Sequence, residues 1–238
     1  MRGVLSRMSR LNTVYIGYEP AEAVAYHALV ASIIQNCKRP VNIVPLDRRK
    51  LRWCHKRPPD LKQSNSFTYT RFLVPYLSEY RGWSLFMDCD MIVREDINEI
   101  FDWANDAVDV MCVQHPDYTS SVATKYLGTQ QYNYPRKNWS SVMLFNNALC
   151  QQLTPNYIDT ASPADLHRMK WAKNVGSLPR AWNHLVGEQP ERHDAKIVHF
   201  TLGTPCWPRF RNCEYGDEWE LYRNAVNWYL PEDLEDTG

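Results

Sequence analysis

Trp83-Ser84-Leu85-Phe86-Met87-Asp88-Cys89-Asp90 is the stretch on which the fold of this 238-residue chain turns. Its apolar run, WSLFM, has the length and lack of polar alternation of a strand buried on both faces, as in the centre of a parallel sheet. Two carboxylates then stand at its carboxyl end. In open α/β sheets the ligand crevice lies beyond those strand ends, so Asp88 and Asp90 emerge where a substrate would bind. Separated by one residue on extended backbone, they point the same way and form a hard-oxygen pair suited to Mg²⁺ or Mn²⁺. The bland alternative is a solvated acidic turn.

The segments around it agree with an α/β sheet. Thr13 to Gly17 (TVYIG) reads as a strand, Gly17-Tyr18-Glu19-Pro20 as a turn, Ala21 to Ile34 as a helix and Val41 to Pro45 as a second strand. That βαβ unit requires parallel strands. Lys38 to Lys62 carries nine basic residues against Asp47 and Asp60 and reads as a charged, irregular excursion. Ser66 to Tyr76 has helical spacing ended by Pro75 or soon after. Met91 to Val93 leads into a short amphipathic helix with Ile97, Ile100 and Phe101. Further strands are expected at Asp109 to Gln114, Ser140 to Asn146 and Lys196 to Phe200. Pro116 to Trp139 reads as a long loop system, Ala164 to Lys173 as a short helix, Val175 to Trp182 as a loop, and the chain from Glu214 onward as an acidic tail.

Charge and composition exclude several classes. Lys+Arg and Asp+Glu both number 27, giving a formal net charge of zero, so no global excess of charge exists to hold a nucleic-acid backbone. Nucleic acid is therefore not an expected partner. Hydrophobic residues make up 44% and aromatic residues 13%, enough for a core and for stacking on rings. Tyr126, Tyr132, Tyr134, Trp139, Trp182 and Trp207 lie among polar residues and suit sugar faces; core packing is the alternative for each. No run reaches the ~20 apolar residues of a bilayer span, and the basic N-terminus lacks the apolar stretch of a signal peptide. Cys37, Cys54, Cys89, Cys112, Cys150, Cys206 and Cys213 show no paired C-x-x-C spacing, which fits reduced thiols and a cytoplasmic location, with contact at the inner membrane face left open. The expected layout is a leader over 1–12, one domain over 13–230 and an acidic tail over 231–238.

The second piece of chemistry is His199 in KIVHFTLGTPCW. Alone on an apolar strand it reads first as a packed core histidine; with Asp88 and Asp90 it reads as a third ligand to Mn²⁺. Gly203 beyond it lets backbone approach a phosphate. Two rival functions remain open: a Mg²⁺-dependent phosphohydrolase with Asp88 as nucleophile, and a sugar-binding domain without turnover.

The ordered motifs SFTYTRFLVPYL, LFMDCDMIV, WSSVMLFN, LPRAWN and HFTLG-x-P resemble nucleotide-sugar glycosyltransferases of the GT-A fold, close to glycosyltransferase family 8. The chain is similar, too, to short bacterial and phage sequences of that class carrying RFLVPYL, FMDCDM, YPRKNWSS and WN-x-LVGE. The resemblance spans Thr13 to Tyr215. It implies a mixed, mainly parallel sheet flanked by helices, and transfer of a sugar from a nucleotide-diphosphate donor, UDP-linked, to a glycan, a lipid-linked saccharide or another hydroxyl. It implies that Asp88, Asp90 and His199 hold Mn²⁺ (or Mg²⁺) and that Asp88, Cys89 and Arg71 face the donor. Gly17 and Tyr18 fall where the nucleoside is held, and Ser141 and Gly203 are aligned with sugar- and phosphate-contacting positions. The family's H-x-x-G-x-x-K-P-W has a Lys that Gly203-Thr204-Pro205-Cys206-Trp207 lacks; Arg136 or Lys137 in YPRKNW stands as the substitute cation, or the metal acts alone. If configuration inverts, a base must take the acceptor proton, and Glu188, Asp165 and His167 are the candidates. In a retaining front-face reaction the leaving phosphate takes it.

Overall fold

The computed structural model describes residues 11–59, 63, 65–116 and 135–225. Six strands form the main sheet: β1 (Thr13–Gly17), β2 (Asn42–Leu46), β3 (Trp83–Met87), β5 (Val110–Cys112), β6 (Val142–Asn146) and β7 (Val175–Ser177), in the order β2-β1-β3-β6-β5-β7. Both neighbours of β1 run parallel to it, β7 runs parallel to β5, and β6 alone is reversed. A second, three-stranded sheet has the order β4-β9-β8, from β4 (Met91–Val93), β8 (His184–Leu185) and β9 (Ile197–His199). The sheet is thus mixed and mainly parallel, as the apolar, unalternating strands require.

Asp88-Cys89-Asp90 is where the chain passes from one sheet to the other. Met87 is paired with Val142, and the next amide, Asp88 N–H, donates to the Ser141 carbonyl at 3.0 Å. Met91 is paired with His199, and Phe200 N–H donates to the Asp90 carbonyl at 2.9 Å. The period-2 alternation of extended backbone sends Cys89 into the core, where it is wholly buried, and leaves the two carboxylates on the other side. Burial pushes the Cys89 thiol well above its ordinary pKa, with nearby carboxylates adding to the effect.

Helix α1 (Ala23–Asn36) crosses between β1 and β2, preceded by a 3₁₀ turn at Pro20–Glu22 that Glu19 caps. Its buried residues Leu29 and Ile33 pack on the main sheet, while Ala28 belongs to a smaller cluster with Ile92, Val198, Phe200, Trp219 and Tyr222. Two of those residues, Trp219 and Tyr222, come from helix α5 (Gly216–Ala225), counting α2 (Val74–Leu77), α3 (Pro155–Thr160) and α4 (Pro163–His167) before it. The Asn36 amide bonds the Val93 carbonyl at 3.0 Å and the Tyr222 hydroxyl at 2.9 Å, tying α1 to both.

Several boundaries differ from the sequence reading. The expected helix over 66–76 is a 3₁₀ turn at Thr70–Leu73 followed by α2, because Pro75 sits in the first turn of the α-helix, where its missing N–H costs nothing. The helix expected to Lys173 ends at His167, with Met169 left-handed at φ 56°. The loop over Val175 to Trp182 contains the edge strand β7 and a 3₁₀ turn at Arg180–Trp182, and the acidic tail begins with α5, whose Trp219 and Tyr222 supply an apolar face. The basic excursion is anchored: Asp159 accepts from Lys56 N–H at 2.8 Å and lies 2.6 Å from the His55 ring. All seven cysteines are free thiols. No described helix is long and apolar enough to cross a membrane. Tyr126, Tyr132 and Tyr134, the tail over 231–238 and most of the leader lie outside the described residues.

Candidate metal and donor site

Asp88, Asp90 and His199 converge at the junction of the two sheets. One ligand atom of each lies within 4.8 Å of the others. Octahedral Mg²⁺ or Mn²⁺ with bonds of about 2.1 Å places its ligands about 3 to 4.2 Å apart, so small side-chain adjustments close the set around a cation. Two hard oxygens and one imidazole suit Mn²⁺ in chemistry as well. The residues present therefore fit the ion that the resemblance implies.

Asp88 is held from behind by charge. Arg71 Nη1 lies 2.9 Å from Asp88 Oδ1, in a pair whose side chains are only 5% and 12% exposed. The same Nη1 donates to the Ser140 carbonyl at 2.8 Å. Phe67 and Phe86 present their rings to the guanidinium, 5.3 and 5.1 Å from it, so the cation is both desolvated and stacked. The resemblance implies a donor-facing Arg71, and the structure brings its guanidinium to the first carboxylate.

His199 is held between a carboxylate and a neutral amide. Its Nε2 is 3.3 Å from Asp90 Oδ1, and its Nδ1 is 3.0 Å from Asn183 Oδ1. Asn183, just before β8, is wholly buried and donates from Nδ2 to Ser141 Oγ at 2.9 Å and to the Asn138 carbonyl at 3.3 Å. Ser141 Oγ donates to the same carbonyl at 2.7 Å. Asn138 is left-handed at φ 63°, a conformation Asn tolerates better than most residues. None of these contacts was visible in the sequence, although WSSV and LPRAWN had both stood out; the signal would have been two polar residues flanking buried strands.

Gly17 and Tyr18 end β1 at the sheet's carboxyl edge. A Cβ at Gly17 would overlap the Phe67 ring, and Tyr18 stacks edge-on against Tyr26 at 5.3 Å with the Arg49 guanidinium 5.9 Å from its ring. Lys137 is buried in the turn before Trp139–Ser141. Gly203 has φ 150°, which side chains other than glycine's rarely adopt, and the Phe210 ring occupies the space a Cβ would need. Ser141 has its hydroxyl committed inward, and Cys89 offers the site only its backbone.

The three candidate bases are separated. Asp165, in the first turn of α4, is paired with Lys170 at 2.5 Å and accepts from the hydroxyl of the N-cap Ser162 at 2.7 Å, which together hold its carboxyl below the usual range. The His167 ring lies 2.9 Å from Ser140 Oγ and edge-on to Phe72 at 5.3 Å. Burial, with the charge of Arg71 adding to it, pushes its pKa down to about 3. Glu188 lines an open cleft of about 550 Å³ with Gln189, Glu191 and Glu214. Gln189 Nε2 in turn lies 3.1 Å from Nδ1 of His115, a buried imidazole that sequence reasoning passed over and that burial first, with the charge of Arg180 adding to it, holds at about 3.

Comparison with known proteins places the fold. The bifunctional glycosyltransferase WbbM superposes with a TM-score of 0.60 at 18% identity, over 90% of this chain and 50% of WbbM. GlyE from Streptococcus pneumoniae TIGR4 gives 0.60 at 13% identity over 90% of this chain and 60% of GlyE, so the chain spans between half and two thirds of these two proteins. The galactosyltransferase LgtC gives 0.56 at 11% identity over 93% of this chain and 98% of LgtC. The architecture is that of the GT-A glycosyltransferases. No family model matches the sequence. Protein CDI of Arabidopsis thaliana is 38% identical over 217 residues, which make up 87% of this chain and 83% of that protein. The chain belongs to the family of Protein CDI.

Proposed function

We propose that the chain is a metal-dependent glycosyltransferase that moves a sugar from a nucleotide-diphosphate donor, UDP-linked, to a hydroxyl of a glycan or lipid-linked saccharide. The observation that carries this reading is the meeting of Asp88, Asp90 and His199 at the carboxyl end of β3 in a GT-A fold. That fold favours transfer over the phosphohydrolase alternative. It also favours catalysis over a binding-only domain, because all three ligand side chains are intact.

A divalent cation bound by Asp88, Asp90 and His199 supplies the charge that a departing diphosphate needs. The chain's own residues do the rest. Arg71 is fixed by Asp88, Ser140 and two aromatic rings, so its positive charge stands beside the donor phosphates without reorganising. Lys137 is the second cation of this reading. The Tyr18 and Gly17 turn at the end of β1 receives the nucleoside. On the acceptor side, Glu188 is the candidate that lines a cleft, whereas Asp165 is paired with Lys170 and His167 lies against Ser140 and Phe72.

A thermal-shift panel of UDP-, GDP- and TDP-sugars with and without Mn²⁺ tests the reading. A UDP-sugar at about 100 times its Kd is expected to stabilise by about 2.7 kcal/mol, a rise in Tm of about 5–10 °C for a chain of this size. Asp90→Ala should abolish that rise. The proposal fails if no nucleotide stabilises the wild type, or if Asp90→Ala responds as the wild type does.

A further inference from the structure

The two nitrogens of His199 have different partners, and a neutral imidazole keeps only one proton. Nε2 faces Asp90 Oδ1 at 3.3 Å. Left to that pair alone, the proton belongs on Nε2, where it is donated to a carboxylate, and Nε2 is then closed to any metal. The partner of Nδ1 decides otherwise, provided the orientation of its amide is known.

That orientation follows from contacts on the far side. Asn183 Nδ2 lies 3.3 Å from the carbonyl of Asn138, and a backbone carbonyl only accepts. The end of the Asn183 amide facing Asn138 is therefore the NH₂, and the end facing His199 is the oxygen. Ser141 confirms the sense: its Oγ spends its own proton on the Asn138 carbonyl at 2.7 Å and accepts from Asn183 Nδ2 at 2.9 Å. An amide oxygen also only accepts, so Nδ1 of His199, 3.0 Å away, carries the ring proton. In the neutral ring, Nε2 then keeps its lone pair, on the side of Asp90 and the space shared with Asp88.

We propose that Asn183 is the positioning residue of this site: its buried amide, oriented by Asn138 and Ser141, locks His199 as the Nδ1–H tautomer and presents Nε2 as the third metal ligand. This rests on the metal reading above but makes a statement about the metal-free chain that can be checked separately. Hydrogen-bonded partners of this kind orient ligating imidazoles, and their loss typically weakens metal binding about 10–100-fold.

The test begins with the wild type. Long-range ¹H–¹⁵N correlation on metal-free, ¹⁵N-histidine-labelled protein at about pH 8.5, where unperturbed imidazoles are neutral, should show His199 as Nδ1–H, assigned by loss of its signals in His199→Gln. In Asn183→Leu, which keeps similar volume without polar atoms, the proton should move to Nε2, and titration with Mn²⁺ alone should give a Kd about 10–100-fold weaker. Asn183→Asp keeps an acceptor for Nδ1–H and should retain the tautomer, a rescue that a purely structural role would not produce. An Nε2–H signal in the wild type overturns the proposal whether or not any variant folds. So does a folded Asn183→Leu that binds Mn²⁺ within twofold of the wild type. A wild type that shows Nδ1–H yet binds no Mn²⁺ overturns the metal reading of the site, and the ligand-presenting role of Asn183 falls with it.

Discussion

The two halves of the site hold their ligands by different physics. On the β3 side, Asp88 is fixed by a full charge, the Arg71 guanidinium, in a pocket walled by Phe67 and Phe86. On the β9 side, His199 is fixed by a relay of neutral hydrogen bonds through Asn183 and Ser141 to the Asn138 carbonyl. The halves meet in one dipeptide: Ser140 offers its carbonyl to Arg71, and Ser141 offers its hydroxyl to Asn183 and its carbonyl to the Asp88 amide. The difference is functional. A carboxylate needs its charge balanced until a cation arrives, whereas an imidazole needs its single proton kept off the nitrogen that will ligate. Charge serves the first purpose, and a directional acceptor serves the second.

The charged half should be the more fragile. Arg71→Met leaves Asp88 without its counter-ion in a nearly dry site, where removing one partner of a buried pair costs about 3–5 kcal/mol. Urea unfolding without divalent ions should show that loss. Because a cation between Asp88 and Asp90 replaces the missing charge, Mn²⁺ should stabilise Arg71→Met more than it stabilises the wild type. Equal stabilisation of the two by Mn²⁺ would show that Arg71 does not share its charge with the metal position.

Protonation probes the two halves together, since His167 lies against Ser140 and His115 near His199. Burial, joined by neighbouring positive charge, holds both imidazoles at about 3, so both are neutral in the folded chain. In the unfolded chain they titrate near the ordinary ~6.5. Their folded pKa values are depressed, so between these limits the unfolded state binds more protons. Stability is then fully present above about pH 6.5 and falls as pH drops below it toward 3. Two such groups give a slope approaching about 2.7 kcal/mol per pH unit. His167→Asn should remove roughly half of it, measured as unfolding free energy between pH 6.5 and 5, where exposed carboxylates stay ionised. A slope unchanged by His167→Asn would place that ring in water.

The charged half was legible in the sequence and the neutral half was not, for a physical reason. Asp88 and Asp90 are displayed by local pattern: an apolar run ends and two carboxylates follow at strand period. Likewise β1, β3, β6 and β9 announce themselves by unbroken apolar residues, because strands buried on both faces leave no room for polar ones. His199 drew notice from its strand and from the family resemblance. Asn183 did not, because its role exists only through partners 42 and 45 residues away in the chain, brought together when β8 pairs with β9 beside the turn at Asn138. The edge strand Val175–Ser177 was missed for lack of length and because Gly176 interrupts its apolar pattern. Helix α5 was read as acidic tail because its charges outnumber the residues it buries, Trp219 and Tyr222 foremost.

The smallest expected effect separates the halves most sharply. Ser140→Ala removes only the hydroxyl that lies 2.9 Å from His167 Nδ1; the backbone carbonyl that receives Arg71 is untouched. Its cost should be about 1 kcal/mol, that of one hydrogen bond to a buried ring. Ser141→Ala removes a hydroxyl of the same kind, and on stability alone the two variants should look alike. On metal binding they should not. Without the Ser141 hydroxyl the Asn183 amide keeps only its 3.3 Å contact to Asn138, so its orientation is less strictly held and His199 regains access to the tautomer that closes Nε2. Mn²⁺ titration should therefore find Ser140→Ala within twofold of the wild type and Ser141→Ala weaker by several-fold. If both serines weaken Mn²⁺ equally, the site is one rigid block in which any loosening is felt at every ligand, and the division between a charge-held carboxylate and a relay-held imidazole does not survive.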